Sequence, residues 1–192
     1  MLSSFMLLFK PSIVSLIIGG VIVASAAILA ENFILRWTSE LFLLLIAAPV
    51  LEETFKLIAT SYGKGIGNAI GVGTGFAIAE NVFYLMVVLS SYSATVALTY
   101  ILARGLADPL LHSTSTSISI KAWNGKMLSL PKAIGLHFMY NLWAILIVSF
   151  GWLFSYEPVV IVLLLTLFLF ETGRIHRGNK IMEVVNVSNG ED

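Results

Sequence analysis

With 58% apolar and only 11% charged residues among its 192, the chain is not an ordinary soluble domain, in which charged residues run at about 25%. The formal net charge is zero and no long basic run occurs, which excludes nucleic acid as a partner, and the lack of cysteine excludes disulfides, thiol catalysis and cysteine-bound zinc. What remains is an all-α, polytopic protein of the lipid bilayer, a transmembrane helix bundle of about six spans.

The first apolar run, Pro11 to Ala30, is long enough to cross a hydrocarbon core of about 30 Å. Lys10 before it and Ala24-Ser25-Ala26 near its end resemble a signal peptide, but the apolar part is too long for one. A polar connector, Glu31 to Glu40, leads to a second span, Leu41 to Thr60, which carries Glu52, Glu53 and Lys56 inside an apolar stretch. The third span, Ile66 to Leu89, contains Gly67, Gly71 and Gly75, a spacing that lets a neighbouring helix approach closely. The fourth, Ala94 to Ile120, is interrupted by Arg104, Asp108, Pro109 and His112. Pro131 opens a fifth span that runs to Trp152, and a short sixth, Pro158 to Phe170, can extend to Glu171.

Short cytoplasmic loops collect Lys and Arg. Lys10, Lys64, Lys121, Lys126, Lys132, Arg174, Arg177 and Lys180 fall on one side of a six-span topology, with Arg36 alone on the other. Both termini are therefore expected in the cytoplasm of a multi-pass cell-membrane protein. One bundle domain over 1–173 is expected, followed by a polar cytoplasmic tail over 174–192.

Polar groups on four consecutive spans set the chemistry. Glu52 and Lys56 share a helix face and would form a structural pair, which leaves Glu53, about 100° away, unexplained. Glu80 and Asn81 lie on the third span, and Arg104, Asp108 and His112 form one stripe of the fourth, with Arg104 and Asp108 as an ion pair. His137 and Asn141 share a face of the fifth. An intramembrane charge costs about 3 kcal/mol, so Glu52, Glu53, Lys56, Glu80, Arg104 and Asp108 facing lipid would together exceed a domain's whole net stability. They must converge inside the bundle. Four carboxylates against two cations leave two negative charges there, to be met by protons, by protonated histidines or by one divalent cation.

These motifs, EETFK at 52–56, Phe76 to Glu80-Asn81 within GTGFAIAEN, His112, and His137 to Asn141, resemble the PrsW-type intramembrane proteases, which belong with the CAAX-prenyl protease and bacteriocin-processing (ABI) group. The resemblance runs from Ala47 to Trp143. Glu80 stands where the CAAX branch has histidine, which favours the PrsW-like side. It implies an endopeptidase acting on a membrane-embedded or membrane-anchored protein, with Glu52, Glu53, His137 and Asn141 as catalytic positions. Lys56 takes the basic place after the paired glutamates. Water would be activated in one of two ways. Glu80, His112 and His137 hold a divalent ion, zinc on this donor chemistry, with Glu53 as a further candidate ligand. Otherwise a glutamate activates water without metal. The rival from another class is a small ion- or proton-coupled transporter, which would use the same groups as a relay.

Overall fold

The computed structural model describes residues 12–62, 65–150 and 158–173. Lys10, Lys64, Arg174, Arg177, Lys180 and the expected tail over 174–192 lie outside them. Among the described residues there is no strand, and there are six long helices. They are α1 (Ile13–Leu35), α2 (Glu40–Phe42, a π-helical turn Leu43–Ala47, then Ala48–Ala59), α3 (Ile66–Ser91), α4 (Ala94–Ser119), α5 (Ser129–Phe150) and α6 (Pro158–Gly173). Short 3-10 turns, Thr60–Tyr62 and Ile120–Asn124, follow α2 and α4, and the second ends at Gly125 with φ +79°.

The largest difference from the sequence reading is in α1. Ser12 caps it by accepting the N–H of Ser15, and it continues to Leu35 through the expected connector. Glu31 and Asn32 are polar but do not break a helix, and Asn32 donates its amide to the carbonyl of Ile28 within the ladder. Glu31 therefore sits inside the bundle. Similarly, Pro109 does not end α4, which runs unbroken from Ala94 to Ser119.

α3 is the central helix, packed between α1 and α4. Glycine makes both contacts possible. A Cβ on Gly75 would stand 2.0 Å from the carbonyl oxygen of Ile17, and one on Gly20 would stand 2.2 Å from that of Val72, so the α1 and α3 backbones touch. Gly71 lies against Leu16, whereas Gly67 has nothing within 4 Å. On the other side of α3, Gly73 meets the backbone of His112 and Ser113 in α4.

The distribution of side chains is the reverse of a soluble protein's. Glu52, Glu53, Lys56, Glu80, Asp108, His112 and His137 are buried, while Ile22, Leu29, Leu102, Val162 and Leu163 are each at least 60% exposed. An apolar exterior around a polar interior is what a bilayer solvent demands. Two helices, α1 and α3, are long and apolar enough to cross a membrane on their own composition. Ala24, Ala27 and Phe76 form one apolar cluster between α1 and α3, and Ala107, Leu111 and Leu164 join α4 to α6. Lys121 and Glu171 add an ion pair between the turn after α4 and α6.

Candidate metal centre

α2 brings three charged side chains into the bundle. Lys56 pairs with Glu53, three residues earlier, at 2.5 Å. The Glu52–Lys56 pairing considered from spacing is not the bond formed. Lys56 Nζ also donates to Nδ1 of His112 at 2.8 Å and to Ser115 Oγ at 3.4 Å, and it lies 4.8 Å from the centre of the Phe76 ring. Helix α4 supplies His112, held where Gly73 lets α3 and α4 close together. Helix α5 supplies His137, whose ring centre is 5.2 Å from that of His112, nearly perpendicular to it.

Each imidazole has a carboxylate on one nitrogen. Nε2 of His112 donates to Glu80 Oε2 at 2.6 Å, and Nδ1 of His137 donates to Glu53 Oε1 at 3.0 Å. A carboxylate only accepts, so each of those nitrogens carries the hydrogen and the opposite nitrogen carries a lone pair. Those opposite nitrogens face the same atom. Oε2 of Glu52 is 3.7 Å from Nε2 of His137 and 4.0 Å from Nδ1 of His112, and this buried oxygen has no hydrogen-bond partner.

The donors fit a divalent cation. One ligand atom from each of Glu52, His112 and His137 lies within 4.8 Å of the other two. Tetrahedral zinc sets its ligands about 3.3 Å apart, so contraction by well under 1 Å would close the 3.7 and 4.0 Å separations. Carboxylates behind both imidazoles are the arrangement that fixes tautomer and ring orientation at metal sites. A second grouping, Glu80, Asp108 and His112, is equally compact but already holds a cation. Arg104 Nη2 bonds Glu80 Oε1 at 2.8 Å, its Nε bonds Asp108 Oδ2 at 2.7 Å, and the guanidinium stacks 4.2 Å from the Tyr84 ring centre.

Of the residues singled out from sequence, Glu52, Glu53, Lys56, Glu80, His112 and His137 meet in one place. Arg104 and Asp108 form the expected ion pair beside it, with Tyr140 donating to Asp108 Oδ1 at 2.9 Å. Asn141 shares the His137 face of α5, but its Nδ2 is committed to the carbonyl of Leu44 at 2.8 Å. The group the sequence reading missed is Glu31. It lies in α1, where its Oε1 is buried without a hydrogen-bond partner. The sequence expects a connector from Glu31, and the one signal against it is the lack of any helix breaker before Arg36.

A protein-family model described as PrsW family intramembrane metalloprotease matches residues 10–170. No curated protein and no solved structure matches the chain.

Proposed function

The chain belongs to the PrsW family of intramembrane metalloproteases, and we propose that it hydrolyses a peptide bond of a membrane-embedded or membrane-anchored protein at a zinc ion held by Glu52, His112 and His137. The observation that carries this reading is the partnerless, buried Oε2 of Glu52, faced by the lone-pair nitrogens of two imidazoles. Such an ion would supply an acidified water and a Lewis acid for the scissile carbonyl.

The protein's own groups would then divide the remaining work. Glu53 keeps Oε1 on Lys56 and His137, while its Oε2 is buried without a partner. That free oxygen is the base that takes a proton from the attacking water and returns it to the leaving amine. Glu80 orients His112, and Arg104 neutralises Glu80 and Asp108 together. Lys56 occupies the Nδ1 lone pair of His112 that would hold an ion, and it would give up that hydrogen bond in the loaded site while keeping Glu53. The activity belongs to the bundle over 1–173, with six spans, both termini cytoplasmic and 174–192 as a tail, supported by the Lys and Arg distribution. A transporter would use the same buried carboxylates as a relay, and the family match favours the peptidase.

The test is metal removal. Protein purified in detergent, stripped with a chelator and given a quenched transmembrane peptide should lose cleavage and regain it with zinc. Full cleavage without bound metal by elemental analysis would overturn the zinc site and leave Glu52 and Glu53 as a metal-free acid–base pair.

A further inference from the structure

The connection between α4 and α5 has no part in the chemistry above, yet its charge is all of one sign. Between Asp108 and Glu157 the sequence has no acidic residue, while Lys121, Lys126 and Lys132 fall in or beside the connection. Glu171 of α6 neutralises Lys121. Lys126 and Lys132 are exposed, and among the described residues neither has a carboxylate partner. Between these two lysines stand Met127 and Leu128, 74% and 72% exposed.

The connection is held in one shape. Trp123 Nε1 donates to the carbonyl of Leu57, in the last turn of α2, at 3.2 Å. The N–H groups of Gly125, Lys126 and Ser129 bond the carbonyls of Ala122, Lys121 and Lys126 at 3.0, 3.2 and 2.8 Å. A ligand of this surface therefore has little chain to order. Helix length sets the depth: α4 has 26 residues, about 39 Å of helix against a hydrocarbon core of about 30 Å, so its ends reach the headgroup layers. Two cations flanking two exposed apolar side chains in that layer match an amphiphile of opposite charge. An anionic phospholipid supplies the counter-charge and the apolar contact in one molecule.

We propose that Lys126, Met127, Leu128 and Lys132 form a docking site for an anionic phospholipid. The two ammonium groups take the phosphate region, and the Met and Leu side chains rest among the glycerols beside it. Under the proposed topology this is the cytoplasmic leaflet. The site is separate from the metal centre and does not depend on it.

Full-length protein in detergent is titrated with phosphatidylglycerol or with phosphatidylcholine, and the first lipid bound is followed by native mass spectrometry. At about fivefold per lysine, the parent chain should prefer phosphatidylglycerol by about 10–30-fold. The double variant Lys126→Gln, Lys132→Gln should lose that preference, and Arg36→Gln, an exposed cation in the α1–α2 connection, should keep it. The double variant Met127→Ser, Leu128→Ser should weaken both lipids and keep the preference. All these side chains are exposed, so melting points should match the parent's. A parent chain without preference would overturn the proposal and leave the surface to a protein partner. Parental preference in Lys126→Gln, Lys132→Gln would overturn it too, as would equal loss in Arg36→Gln or unchanged lipid binding in Met127→Ser, Leu128→Ser.

Discussion

Asn141 in α5 donates its side-chain amide to the backbone carbonyl of Leu44 in α2, across 2.8 Å. The π-helical turn explains why that carbonyl is available. The N–H of Ala48 reaches back five residues to Leu43, so the next donor in the same ladder belongs to residue 49, which is proline and has none. Asn141 supplies the missing hydrogen bond, and with it fixes the entry of α2, about two turns before Glu52 and Glu53, against the helix that carries His137.

Loss of that donor should therefore cost stability as well as activity. Asn141→Leu and Asn141→Asp should each lower unfolding stability by about 1–3 kcal/mol, the cost of a stranded buried carbonyl. Pro49→Ala restores a backbone N–H, so the double variant Asn141→Leu, Pro49→Ala should be more stable than Asn141→Leu alone. Thermal unfolding in detergent measures the parent, the single variants Asn141→Leu, Asn141→Asp and Pro49→Ala, and the double variant, and an additive double variant would refute the link.

Glu52 and Glu53 should fail differently although they are adjacent. Glu52→Gln should abolish both zinc retention and cleavage, whereas Glu53→Gln should retain zinc and lose cleavage by about 10²-fold or more, as expected for a missing general base. Elemental analysis beside a quenched-peptide assay distinguishes them. Zinc retained in Glu52→Gln would assign the ion to another set of ligands.

Arg104 is the shared partner of Glu80 and Asp108, so Arg104→Ala strands two carboxylates. Removing one member of a buried pair costs about 3–5 kcal/mol, and folded protein should fall accordingly. Adding Asp108→Ala should rescue only part of the loss, since Glu80 remains uncovered. Complete rescue would show that the Glu80 contact contributes nothing. Yield in size-exclusion chromatography reports the outcome.

Glycine positions on α3 make a graded test of the packing. Gly75→Ala drives a methyl into the Ile17 carbonyl and must separate α1 from α3; a melting point lower by several degrees is expected. Gly67→Ala meets nothing and replaces a poor helix former, so it should be neutral or slightly stabilising. Equal melting points for the two variants would contradict the close approach.

The proposed topology is readable with single cysteines, because the chain has none of its own. Trp37 and Met127 are 78% and 74% exposed in opposite connections. In sealed cells Trp37→Cys should label with an impermeant maleimide, and Met127→Cys only after permeabilisation. The reverse pattern would invert the orientation.

The sequence alone determined that this is a helical membrane protein with a buried polar centre. Bilayer solvation forbids scattering Glu52, Glu53, Lys56, Glu80, Arg104 and Asp108 over lipid-facing surfaces, so their convergence followed from cost alone. Four-residue spacing likewise gave the Arg104–Asp108 pair, because both partners lie on one helix. Contacts between helices were beyond its reach. Spacing could not choose whether Glu52 or Glu53 takes Lys56, because both lie within one turn of it and His112, 56 residues away, helps decide. Nor could it show that Gly71 and Gly75 meet α1 while Gly67 meets nothing, since helix crossing sets which glycines lie at the contact. Glu31 looked like the start of a loop for the same reason. Only the tertiary structure, in which α1 packs on α3 along the glycine seam and runs on to Leu35, decides that Glu31 Oε1 is buried.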